Sequence, residues 1–159
     1  MRTSLNLDCG CKPKNFGNAD FTFAIHVRDD LESTITKADL VIEKIHFYEN
    51  TFDIVTAHDF IEYIPRLIYT PERRLPFVEL KNEVWTVLKF EAKFLTQTSC
   101  YQHPAAEDPT YVNSITDQTF SLYFDDTNKW ASMYGFKGQF QIEQQPMNGQ
   151  YLILVIDEV

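Results

Sequence analysis

The chain has 159 residues, of which 44% are apolar, including thirteen Phe and eight Tyr; it is long and apolar enough to bury a core and reads as globular. Its formal net charge of -9 argues against duplex nucleic acid, whose phosphates require a clustered basic surface. A local basic pocket stays open, because Arg66, Arg73 and Arg74 are close in sequence.

No apolar run approaches the roughly 20 residues that span a bilayer, so no membrane partner is expected. The apolar segment behind Met1-Arg2-Thr3-Ser4 is too short for a signal peptide. Three cysteines (Cys9, Cys11 and Cys100) cannot all pair within one chain, and the first two are poor partners on an extended segment. A reduced, cytoplasmic protein is the plain reading.

In chain order, the first expected strand covers residues 4–9, with apolar residues at alternate positions, and ends in a glycine turn. Residues 21–27, rich in aromatic and branched side chains, form a second, stopped by Arg28-Asp29-Asp30. Residues 39–42 are a weaker candidate. Residues 52–57 are nearly continuous in apolar character, as in a strand covered on both faces.

The period then changes. Residues 59–67 read as a short helix, ended or kinked near Pro65. Phe77, Leu80, Val84, Val87 and Leu88 recur at helical steps behind Pro76, a residue that suits a first helical turn. A strand over 93–98 follows. A long irregular stretch, 98–113, leaves the C-terminal end of that strand, the edge where α/β sheets bind ligands. Alternation around Phe140 and Ile142, the turn signal Asn148-Gly149 and the apolar run 151–156 predict an antiparallel hairpin. With no repeat, low-complexity tract or linker, residues 1–159 read as one α/β domain.

The chemistry-bearing residues are few. Cys9 and Cys11 in "LNLDCGCKP" have one residue between them, against the two to four of structural zinc pairs, and the four histidines lack paired spacing; no metal site is expected. A redox pair fails on the same spacing. What survives is a strand, a turn at Gly10 and a ligand approaching the backbone. His58 and Asp59 follow the buried strand directly. They read either as a general acid/base pair or, for Asp59, as an ordinary helix cap.

Four segments, "LNLDCGCKP", "ENTFDIVTAHDFIEYIPR", "LKNEVWTVLKFEAKFL" and "DPTYVNSITDQTFSLYF", resemble, in order, segments of class I S-adenosylmethionine-dependent methyltransferases, closest to small bacterial methyltransferase-domain proteins. The resemblance covers nearly the whole chain. It implies a Rossmann-like three-layer α/β sandwich whose mostly parallel seven-stranded sheet ends in an antiparallel C-terminal hairpin. It also implies S-adenosylmethionine as cofactor, held by Asp8, Cys9, Gly10, Cys11, His26, Asp39, Leu40, Ala57, His58 and Asp59. His58 would accept a proton, and His103 or Tyr111 would contact the substrate.

The chain departs from the family pattern in places. Asp8 stands where the loop has its first glycine, and His26 where a carboxylate would accept both ribose hydroxyls. Tyr63 replaces a histidine, and Phe90-Glu91-Ala92 replaces Pro-Gly-Gly. The resemblance therefore implies methyl transfer to an unidentified small molecule. The alternative is a methyltransferase-like binding or partner module that has lost catalysis. A nicotinamide dinucleotide enzyme fits less well, because the loop lacks three spaced glycines. On this reading, restoring a carboxylate by His26→Asp should tighten cofactor binding.

Overall fold

Short branched and aromatic runs form the strands, and one amphipathic stretch forms the main helix. The chain order is β1 (Thr3–Leu7), β2 (Phe21–His26), β3 (Ile35–Lys37), β4 (Phe52–His58), α1 (Pro76–Val87), β5 (Leu88–Ser99), α2 (Gln118–Tyr123), β6 (Phe140–Gln144), β7 (Met147–Asn148) and β8 (Tyr151–Glu158). The structure is a computed structural model and describes residues 1–8, 12–15, 17–28, 33–101, 103–145, 147–148 and 151–158.

All strands join one sheet in the order β3-β2-β1-β4-β5-β8-β6, with β7 paired to β8. The pairs from β3 to β5 are parallel. β8 runs antiparallel to both β5 and β6. Among the described residues the sheet thus counts eight strands rather than the expected seven. Gly149, in the expected hairpin turn, lies outside the described residues.

Register divides the sheet into two faces of different chemistry. Leu5 pairs with Phe23 and Val55, and Leu7 with Ile25 and Ala57; Val55 in turn faces Phe94. These side chains form an apolar face, and α1 packs on it through Phe77, Leu80, Val84 and Val87. Burying each such side chain fully contributes about 1.5–3 kcal/mol. Phe120 and Phe124 of the α2 segment meet Phe77 edge-on, at centroid distances of 6.4 and 5.5 Å.

One charge sits inside this apolar layer. Lys81 of α1 is fully buried, with Nζ 4.3 Å from the Phe94 ring centroid and 5.1–5.2 Å from those of Phe120 and Phe77. Nζ has no hydrogen-bond partner among the described residues. The rings attract an ammonium, but desolvation outweighs that attraction and lowers the Lys81 pKa to about 7.

The opposite face carries Ser4, Asn6, Thr22, Ala24, Ile54 and Thr56. Ser4 donates to Thr22 Oγ1 at 2.9 Å, and Asn6 Nδ2 donates to Thr56 Oγ1. No α-helix covers this face among the described residues. The segment between β1 and β2 does so instead: the Lys14 N–H donates to Asn6, and Gly17 lies so close to Ile54 that a Cβ would sit 2.0 Å from its Cδ1. Both α-helices therefore pack on one side, and the expected three-layer sandwich is a two-layer arrangement among the described residues. A ladder of small hydroxyl and amide side chains has little apolar area to bury against a helix stripe.

Two expected elements take other forms. Residues 39–42 are a turn rather than a strand, because Asp39 Oδ1 accepts the Val41 N–H at 3.0 Å and the Asp39 carbonyl accepts those of Ile42 and Glu43. Instead of a helix over 59–67 there is a single 3-10 turn, Ile61–Tyr63. Asp59 precedes it in the left-handed region at φ 47° and caps nothing. The α1 start behaves as expected, with Pro76 in the first turn and Glu79 accepting the Leu75 N–H. No helix among the described residues is long and apolar enough to cross a membrane.

Candidate functional site

Parallel pairing brings the C-terminal ends of β1, β2 and β4 level, since Leu7 faces Ile25 on one side and Ala57 on the other. The residues just beyond these pairs meet at one edge of the sheet. There they line a cleft of about 380 Å³, together with the turn after β3 and the 3-10 turn after β4. Its polar lining comes from Asp8, His26, Arg28, Asp39 and Asp59, and its apolar walls include Leu40, Phe60 and Ile64. Three carboxylates against one arginine make the lining acidic, which suits a ligand carrying positive charge.

Asp8 and His26 form the best-defined unit of the cleft. Asp8 adopts φ 56°, a left-handed backbone that explains why glycine is common at such positions. Its Oδ1 lies 3.0 Å from His26 Nε2. His26 Nδ1 accepts the Arg28 N–H at 3.1 Å, so the proton of a neutral imidazole resides on Nε2 and is donated to Asp8. Burial raises the Asp8 pKa, and His26 and Arg28 pull it back down.

Both ring nitrogens of His26 are therefore engaged inside the protein. The side chain offers a ribose no acceptor: Nδ1 is taken by the Arg28 N–H and Nε2 faces Asp8. The carboxylate nearest to His26 is Asp8, just past the end of the neighbouring strand β1.

Other candidate residues distribute unevenly. Asp39, Leu40 and Asp59 line the cleft with Asp8 and His26, whereas Ala57 and His58 do not. Ala57 is buried in the core. His58 pairs in register with Gln97; burial lowers its pKa, aided by Lys14, while Asp59 and a hydrogen bond with Gln97 raise it. Cys9, Gly10 and Cys11 lie outside the described residues. His103 Nδ1 accepts the Ala105 N–H at 3.0 Å and so starts the 3-10 turn Pro104–Glu107. Tyr111 packs edge-on against Tyr63 at 4.9 Å, and Tyr63 lines the cleft. Burial and the neighbouring Glu62, Tyr63 and Asp59 push the Tyr111 pKa up, so it remains a phenol that can donate.

The sequence reading missed Glu62, which is 1% exposed. Its Oε1 accepts the Ser99 N–H at 2.8 Å, and its carbonyl accepts those of Val112 and Asn113. The residue thus ties the 3-10 turn beside the cleft to the end of β5 and to the long loop. Burial raises its pKa, opposed by the hydrogen bond from the Ser99 N–H and by the neighbouring Thr98. The Glu of the quoted "FIEYIPR" was the available signal. Among the described residues no group of three or more His, Cys, Asp or Glu side chains could hold a metal ion.

No protein-family model matches the sequence, and no curated protein does. Solved structures do match. Haemonchus contortus phosphoethanolamine N-methyltransferase 1, solved with phosphoethanolamine and S-adenosylhomocysteine, superposes with a TM-score of 0.66 at 12% identity over 99% of this chain. The match takes in only 39% of that enzyme's length. A methyltransferase from Aquifex aeolicus matches 98% of this chain and 81% of its own, with a TM-score of 0.60 and 15% identity. The [4+2]-cyclase SpnF matches 99% and 74%, with 0.64 and 10%. The chain has the fold of the class I S-adenosylmethionine-dependent methyltransferases.

Proposed function

We propose that this chain catalyses S-adenosylmethionine-dependent methyl transfer to a small-molecule acceptor. The observation that carries the reading is the cleft at the C-terminal edge of the parallel strands, with Asp8 presented into it by His26. Ligands of α/β sheets bind at this edge. The volume falls in the range of roughly 300–1,000 Å³ usual for small-molecule sites. The residues present fit the cofactor: a carboxylate for hydroxyl groups, apolar walls for a flat base, and a negative lining for a sulfonium. The antiparallel end of the sheet is consistent with the C-terminal hairpin of such enzymes.

When bound, the cofactor supplies an electrophilic methyl group. The chain's own contribution is orientation, which can replace much of the entropy cost of bringing two reactants together. Asp8 would accept hydrogen bonds from the sugar hydroxyls. His26 holds Asp8 in place, and the Arg28 N–H keeps the imidazole in the tautomer that can do so. Leu40, Phe60 and Ile64 would exclude water from the base. Tyr111 lies outside the cleft lining and would act on it only by holding Tyr63, against which it packs. His58 and His103 take no step, since neither lines the cleft.

Calorimetric titration with S-adenosylmethionine and S-adenosylhomocysteine tests the reading. It predicts saturable one-to-one binding of both ligands, weakened by Asp8→Asn. No heat of binding for either ligand would overturn it.

A further inference from the structure

The molecule holds a second pocket, of about 560 Å³, that shares no lining residue with the strand-edge cleft. It opens between the start of α1 and α2. Leu75, Phe77, Val78, Leu122 and Phe124 supply apolar wall, and Arg66 and Arg73 stand in its lining.

Charge sets this pocket apart from the rest of the chain. The protein carries 23 Asp and Glu against 14 Lys and Arg, yet among the described residues no carboxylate lines the pocket. Arg66 is fixed by neutral partners: its Nε donates to Asn113 Oδ1 at 2.6 Å and its Nη2 to the Ser114 carbonyl. Arg74, next door, is already paired with Glu79. Arg73 is exposed and has no ion-pair or hydrogen-bond partner among the described residues. The pocket therefore combines an apolar wall, one guanidinium held in position and one with no partner among the described residues. Thr116, Tyr123 and Tyr134 add hydroxyl groups.

We infer that this pocket between α1 and α2 binds a small amphipathic carboxylate, with its apolar body against Phe77 and Leu122 and its carboxylate on Arg73. A guanidinium pairs with a carboxylate through two parallel N–H···O bonds, which gives it direction as well as charge. The apolar wall supplies affinity that a bare anion would lack. Methyl transfer is not required for this binding, because the pocket is separate from the strand-edge cleft.

The test is an amide NMR titration of the labelled protein with octanoate, beside acetate and octylammonium. Octanoate should bind saturably, with a dissociation constant on the order of 0.1–1 mM for a ligand of that size. The shifts should fall on residues 66–78 and 114–124. Acetate lacks the apolar body and octylammonium has the wrong charge, so neither should saturate. Arg73→Ala should weaken octanoate about tenfold, the equivalent of one lost charge-assisted pair. Arg73→Glu should abolish octanoate binding and admit octylammonium. Both substitutions are at an exposed side chain with no partner among the described residues, so folding is preserved. Adding S-adenosylhomocysteine should leave octanoate bound. Equal binding of octanoate and octylammonium, unchanged affinity in Arg73→Ala, shifts elsewhere, or no saturation at 10 mM, roughly ten times the expected constant, would each overturn the inference.

Discussion

The strand-edge cleft and the pocket between α1 and α2 differ in how their charge is held. In the strand-edge cleft the defining carboxylate, Asp8, is oriented by a partner whose own tautomer is fixed by a backbone N–H. In the pocket between α1 and α2 the defining cation, Arg73, is exposed and without a partner among the described residues. A carboxylate held by a buried imidazole is preorganised and reports on ligand geometry. A free surface guanidinium contributes charge, adapts to its ligand and is screened by salt. Beneath the second pocket, behind Phe77, lies the buried Lys81, a charge for which the fold provides only aromatic faces.

The largest expected effect concerns that lysine. Unfolding lets Lys81 take up a proton that the folded state disfavours, so stability falls as pH drops from 10.5 to about 7 and changes no further below. Lys81→Met, of similar length and apolar, should remove this dependence. Its gain at pH 7 should be roughly 3–5 kcal/mol, since each pKa unit corresponds to about 1.4 kcal/mol. Denaturant melts at pH 7 and pH 10.5 should show the gain shrinking at the higher pH. A constant difference would mean that Lys81 is charged in the folded protein.

Next in size is the carboxylate of the cleft. Asp8→Asn keeps a residue that tolerates the left-handed backbone and an oxygen facing His26. It should weaken S-adenosylhomocysteine about 10- to 100-fold, because a hydrogen bond to a charged group contributes about 1.5–3 kcal/mol. The melting temperature should change little. His26→Asp should also weaken binding, by setting a second carboxylate beside Asp8. Tighter binding of His26→Asp, measured calorimetrically, would return the ribose acceptor to the end of β2.

A smaller effect is expected at Glu62. Its raised pKa means that the unfolded chain ionises first, so the folded state loses stability as pH rises above the unfolded value of 4.5 and until Glu62 itself ionises. Glu62→Gln keeps an acceptor for the Ser99 N–H and removes the charge. The variant should match wild type near pH 4 and melt higher at pH 8, a difference that thermal melts at the two pH values will read.

Much of this architecture was legible in the residues. The helical spacing behind Pro76 located α1, and dense branched and aromatic runs located β1, β2 and β4, because burial patterns dominate there. Short local geometry was not legible. The side-chain turn at Asp39 and the left-handed Asp59 decide the fate of 39–42 and 59–67, and neither leaves a periodic signal. The second helical layer was taken from family resemblance, whereas Ser4, Asn6, Thr22 and Thr56 could have warned that one face is polar. The site was half visible. Asp8 and His26 were read as two separate departures from a pattern, but parallel pairing of Leu7 with Ile25 sets them side by side. On the proposed function, their chemistry is one exchange, not two losses. Lys81 occupied the apolar stripe of α1 in plain view, yet its burial becomes apparent only with Phe94 and Phe120 packed around it.

The most direct measurement is an amide NMR titration of the labelled protein with S-adenosylhomocysteine. The account predicts saturable shifts at Asp8 and across residues 25–28, 38–41 and 59–64, with residues 73–78 and 118–124 unmoved. Shifts confined to the second set, or no saturable change at all, would contradict the assignment of the strand-edge cleft as the cofactor site.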